Sequence, residues 1–133
     1  MSLKHQIIAA GLFVGFHASV WAGAAEDAFT DELLDCAAYY QISSEAISAM
    51  NAPQMQAVGE RLKTSAVDAI ALAKKYQSAA QVDAGLEKAR DNQIKSLAGS
   101  SNLGGLMAKY KDQCKQVLAD PQKRLDYWTM ATM

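Results

Sequence analysis

Two cysteines, Cys36 and Cys114, and two histidines, His5 and His17, are the chain's whole supply of thiol and imidazole. Imidazole is the usual base that activates a serine or cysteine nucleophile, and thiolate and imidazole are the usual ligands of zinc and haem iron. The position of these four residues therefore decides most of the chemistry open to the protein. Both histidines fall in the first two dozen residues, where basic Lys4 precedes an apolar run from Ile7 to Ala22 that closes on Ala22, Gly23 and Ala24. A basic start, an apolar centre and a small-residue end are the layout of a secretory signal peptide. The run comes near the roughly 20 apolar residues of a spanning helix, but His17 and Ser19 interrupt it. Cleavage after Ala22 or Ala24 removes both histidines and keeps both cysteines.

This reading makes residues 1–24 a signal peptide and residues 25–133 a single domain, periplasmic or secreted, in a compartment where thiols pair. Cys36 and Cys114 are expected to form a disulfide. Histidine-dependent hydrolysis and imidazole-ligated metals are then excluded, and no thiolate is left to hold a metal. The chain also has no C-x-x-C pair, no phosphate-binding glycine loop with its lysine and no G-x-G-x-x-G. No cofactor is expected. What remains for enzymatic work is a carboxylate pair of the glycosidase kind. Asp35, Glu45, Glu60, Asp68, Asp83 and Glu87 are available, but helical acids interleaved with lysine read as solvated surface. The protein is therefore expected not to be an enzyme. Without Lys4 the chain has 12 basic and 14 acidic residues, a net charge of −2. That balance favours neither nucleic acid nor, after cleavage, an anionic membrane as partner.

The elements that must position these residues are helices. Alanine is abundant, the only prolines are Pro53 and Pro121, and no stretch alternates long enough to read as a strand. Thr30 reads as the N-cap of the first helix, with Asp31 and Glu32 in its first turn and Phe29 and Leu34 as a hydrophobic staple. Leu33, Cys36, Ala37, Tyr40 and Ile47 form its core stripe, and the helix is expected to stop near Met50, before Asn51-Ala52-Pro53.

A second helix from Pro53 carries Met55, Val58, Leu62, Ala66, Ala69, Leu72 and Tyr76 inward, with Gly59 marking close packing on a neighbour. Ser78 with Gln81 is a capping box for a third, whose stripe is Val82, Leu86, Ala89, Ile94 and Leu97. Gly99 to Gly105 reads as a loop. A fourth helix from Leu106 carries Met107, Tyr110, Cys114, Val117 and Leu118 inward, and Asp120-Pro121 opens a short fifth bearing Leu125 and Trp128. The fold class is all-α: an antiparallel four-helix bundle with a short C-terminal fifth helix, stapled by one disulfide. In that topology the start of the first helix and the end of the fourth share one end of the molecule, which lets Cys36 meet Cys114.

By elimination, the expected function is recognition of another exported or envelope protein, as an inhibitor, immunity or accessory protein does, by a monomer or homodimer. The candidate contacts are Asn102 and Leu103 in the loop, and Arg124, Tyr127 and Trp128 in the last helix, since Arg, Tyr and Trp concentrate binding energy at interfaces. The alternative is a carrier of a small apolar ligand inside the bundle, lined by Met50, Met55 and Met107 with Tyr40, Tyr76 and Tyr110.

Overall fold

The computed structural model describes residues 20–99 and 103–133. Lys4, His5, His17 and Asn102 lie outside them. The described residues form five helices and no strand: α1 (Val20–Ala49), α2 (Gln56–Ala73), α3 (Ala79–Ser96), α4 (Gly104–Ala119) and α5 (Pro121–Ala131), with a 3-10 turn at Pro53–Met55 before α2. This is an all-α bundle with a short C-terminal helix. None of the described helices is long and apolar enough to cross a membrane.

The bundle is built around α1, which touches every other helix. Residues 32–34 and 36–40 are all buried, and no single stripe of a helix can contain so many consecutive positions. The middle of α1 is thus enclosed on all sides and lies inside the fold, while Asp27, Asp31 and Glu45 toward its ends stay exposed. Thr30 corrects the expected start. It is fully buried inside a continuous helix, and its Oγ1 donates to the Glu26 carbonyl at 2.8 Å. The same hydroxyl that caps a helix from its first turn can bond one turn back, so threonine at this position fits either role. Ala24, Ala25 and Ala28 supply the helix propensity that carries α1 through it. Phe29 and Leu34 are buried accordingly as core residues, not as a staple.

α1 closes where expected. Asn51 takes φ 51°, a left-handed conformation that asparagine tolerates better than most residues, and Pro53 begins the 3-10 turn. α2 then returns along α1. Ser44 Oγ donates to the Gly59 carbonyl at 3.1 Å near one end, and Phe29 meets Tyr76 edge to face at 5.6 Å near the other. The buried face of α2 is Gly59, Ala66, Ala69 and Ala73, small residues that let the two backbones approach. A Cβ built on Gly59 would stand 3.3 Å from Ile47 Cγ2, so the glycine does mark close packing.

The capping box at α3 is complete: Ser78 Oγ accepts from the Gln81 amide, and the Gln81 side chain accepts from the Ser78 amide. The α3 stripe needs one correction. Gln93 is buried and Ile94 is 49% exposed. Positions 82, 86, 89 and 93 continue one helical face, whereas 94 has turned away from it. Gln93 tolerates burial because its Nε2 donates to the Asp35 carbonyl at 2.8 Å. Gly85 faces α1 so closely that a Cβ there would meet Leu34 Cδ1 at 2.6 Å.

α4 starts at Gly104, so Gly104 and Gly105 belong to a helix and not to the loop. Met107, whose amide donates to the Leu103 carbonyl at 2.9 Å in that first turn, is 42% exposed, while Leu106, Cys114 and Val117 face inward. Cys36 and Cys114 form the expected disulfide, with Cα atoms 5.4 Å apart and both residues buried. Because α1 begins at Val20, Cys36 sits in the body of that helix, and the bridge clips α4 to its middle instead of joining two helix ends. Around the bridge lies one core cluster, with Tyr39, Tyr40, Ile42, Ala66 and Leu106. A second cluster holds Phe29, Leu33, Leu34, Ala73, Val82 and Val117. Leu125 and Trp128 of α5 pack against the second. The side chain of Asp120 caps α5 by accepting from the Lys123 amide at 3.2 Å, with Pro121 at the first position.

Candidate functional site

Two of the contact residues expected from the sequence, Arg124 and Trp128, converge on one carboxylate. Glu32, half a turn from the core residue Leu34, is 7% exposed. Arg124 Nε donates to both of its oxygens at 2.7 and 2.8 Å, Trp128 Nε1 donates to Oε2 at 2.5 Å, and Gln113 Nε2 donates to Oε1 at 2.6 Å. A buried carboxylate is tolerated only when its lone pairs are filled and its charge is opposed, and this one has both. Glu32 thus joins α1 to α4 and α5 at one point. Its role is tertiary, not the helix-dipole role expected of a first-turn acid.

The Arg124 guanidinium stacks over the Tyr127 ring at 4.1 Å and lies 5.4 Å from the Trp128 ring. Tyr127 and Trp128 also contact each other edge to face at 5.2 Å. The chain of support runs from Glu32 through Arg124 to Tyr127, so a ring that is 50% exposed is fixed from beneath. Met130, one turn further along α5, is 74% exposed. Tyr127 and Met130 form one wall of a cleft of about 510 Å³ between α4 and α5, floored by Val117 and edged by Gln116, Asp120 and Lys123. Arg124 and Trp128 are half-buried, and Arg124 Nε and Trp128 Nε1 already donate to Glu32. Of the three, Tyr127 presents most surface to solvent. Met130 was not singled out from the sequence, where it is one methionine near a chain end.

Leu103 is not part of this surface. It packs, half-buried, against the cluster around the disulfide, whereas Trp128 joins the other cluster. Asn102 lies outside the described residues.

On the other side of Gln113, a smaller cleft of about 280 Å³ is walled by Asp31, Asp35, Tyr110 and Trp128. Burial pushes the Asp35 carboxyl above its usual value. The neighbouring Asp31 and Glu32 charges push the same way, and Lys109 opposes them. Tyr39 and Tyr40 are likewise raised, chiefly by burial. Tyr39 is 3% exposed and stacks on Tyr110 at 5.9 Å, so it belongs to the core. Of the residues proposed to line an internal apolar cavity, Met50 is 62% exposed and Met107 42%. No group of three or more His, Cys, Asp or Glu side chains is placed to hold a metal ion among the described residues.

No protein-family model, curated protein or solved structure matches the chain. The class defined by the fold and the site is therefore a disulfide-stapled helical bundle with a supported aromatic face on its C-terminal helix.

Proposed function

We propose that this protein is exported to an oxidising compartment and acts there by binding another protein through the face formed by α5 and the adjoining edge of α4. The observation that carries the reading is Tyr127, half exposed yet held by Arg124, which Glu32 in turn holds. An aromatic side chain that is rigid before contact loses little conformational entropy on binding, and tyrosines of this kind anchor protein interfaces. Exposed Met130 beside it supplies an adaptable apolar contact. The buried disulfide supports the location, since such bridges persist in oxidising compartments and are rare in the cytosol.

The test is site-specific photocrosslinking in the native host. A benzophenone side chain is placed at position 127 and, as a control, at the exposed position of Glu60 on α2. The expected result is one protein adduct of defined mass from position 127, competed away by unlabelled protein and missing from position 60. Equal adducts from both positions, or none from position 127, would overturn the reading. An adduct of twice the chain's mass would identify the partner as a second copy.

A further inference from the structure

α4 and α5 form one arm of the molecule. Ala119 ends α4, Pro121 begins α5, and Asp120 alone stands between them. The arm reaches the other helices chiefly through α1. Its buried residues are Leu106, Cys114 and Val117, all on α4, while Leu118, Leu125 and Trp128 are half-buried. Undocked, the arm would lose helix as well as contacts, since α5 has 11 residues and an isolated helix shorter than about 12–15 is marginal in water.

Two further contacts hold the arm, and they lie side by side. One is the bridge between Cys36 and Cys114. The other is the Glu32 carboxylate, one turn before Cys36 on α1, which accepts from Gln113, the residue next to Cys114. Closing the bridge therefore fixes the register at which Gln113 meets Glu32. The same carboxylate accepts from Arg124, and Arg124 stacks on the Tyr127 ring. A continuous chain of contacts thus runs from the bridge to the exposed aromatic face.

We propose that the bridge is a redox switch for that face. With it closed, α4 and α5 are docked and Tyr127 is held; with both cysteines reduced, the arm leaves α1, α2 and α3 and the face is lost. As regulation of binding, this rests on reading the Tyr127 face as the binding surface. Closing the bridge takes a disulfide oxidant. One cysteine thiolate attacks it to give a mixed disulfide, the second cysteine displaces the oxidant, and the two hydrogens of the thiols end on the oxidant as its dithiol. Once docked, Cys36 is 1% exposed and Cys114 0%, so the closed bridge is shielded from dithiol reductants. The switch is therefore thrown in one direction, when the chain reaches an oxidising compartment. A chain still in the reducing cytosol has no assembled face and does not engage its partner.

Hydrogen exchange read helix by helix tests the switch on three samples: the oxidised protein, the protein refolded in excess dithiothreitol, and the double variant Cys36→Ala, Cys114→Ala. The reduced protein keeps every side chain, so a change it shares with the variant comes from the open bridge. The expected result is exchange in α4 and α5 about a hundredfold faster or more in the last two samples. α2 and the buried middle of α1 are expected to stay protected, and oxidised glutathione to restore protection to the reduced protein but not to the variant. Unchanged protection in α4 and α5 would overturn the proposal by showing that packing docks the arm unaided. Loss of protection in every helix would overturn it too, because the arm would then not be a separate unit. Photocrosslinking from position 127 reads the functional half: the adduct of the oxidised protein is expected to vanish in the double variant, and an equal adduct would contradict the switch. An oxidised protein with no adduct would overturn the binding reading and leave the exchange result to decide the arm.

Discussion

At the scale of single residues, burial decides what a charge is worth. Glu32 and Glu45 each pair with an arginine, at 2.7 and 2.9 Å, but the Glu32 side chain is 6% exposed and that of Glu45 is 63% exposed. Replacing Glu32 with Ala leaves Arg124, Trp128 and Gln113 without their acceptor and is expected to cost about 2–3 kcal/mol. Glu45→Ala is expected to cost less than about 1 kcal/mol. Urea unfolding of the two variants checks the difference, and hydrogen exchange should show α5 loosened only in the first. Asp35 carries the opposite sign. Its carboxyl titrates above the usual value in the folded protein because burial disfavours the charge. The folded state therefore holds this proton to higher pH than the unfolded state, and ionising Asp35 removes stability as pH rises from its unfolded value through its raised folded one. Asp35→Asn is expected to be more stable than the parent at neutral pH and to lose that advantage in acid. Thermal unfolding across this range reads the sign, and a variant less stable at neutral pH would contradict it.

At the scale of elements, local signals were legible and two-sided ones were not. The capping box of Ser78 and Gln81, and the Asp120 cap followed by Pro121, are complete within four residues, and the structure contains both as read. Thr30 carries the same kind of signal, but the alanines before it extend α1 and its hydroxyl turns back to Glu26. A single sequence does not separate these cases, because cap and back-bond use the same oxygen. Thr30→Val distinguishes them by sign. Loss of a cap would cost about 1 kcal/mol, whereas at a fully buried mid-helix site, where Glu26 O keeps its place in the helix, valine is expected to leave stability unchanged or raise it. Thermal denaturation gives the answer. Gln93 was missed for a related reason: an isoleucine stands next to it, and only the register of positions 82, 86 and 89 shows which of the two faces α1. The Glu32 contacts were beyond local reading altogether, since Arg124 and Trp128 lie 92 and 96 residues away. Arg, Tyr and Trp in α5 could be read as candidate contacts, but not that Arg124 and Trp128 are committed internally and leave Tyr127 foremost.

At the scale of the whole molecule, one long helix serves as the core on which the rest is assembled. The helical class and the disulfide were readable because apolar spacing and cysteine pairing are strong signals. The enclosure of α1 was not, since the five-helix arrangement, and not its own pattern, buries its second face. α4 meets α1 over a shorter stretch than α2 does, and the bridge between Cys36 and Cys114 fixes it there across a separation of 78 residues. Replacing both cysteines with serine is expected to cost roughly 4 kcal/mol, a large share of the 5–15 kcal/mol typical of a domain, where about 1 kcal/mol can shift Tm by 4–8 °C. A double variant melting within a few degrees of the parent would show that packing alone holds α4.

The most direct test of the central claim, an exported bundle that binds protein through Tyr127, is native mass spectrometry of the protein purified gently from its own compartment. The account predicts a chain lacking residues 1–24 and two hydrogens, carrying a second polypeptide that Tyr127→Ala releases. A reduced and unprocessed chain, or a bound polypeptide that Tyr127→Ala leaves in place, would contradict it.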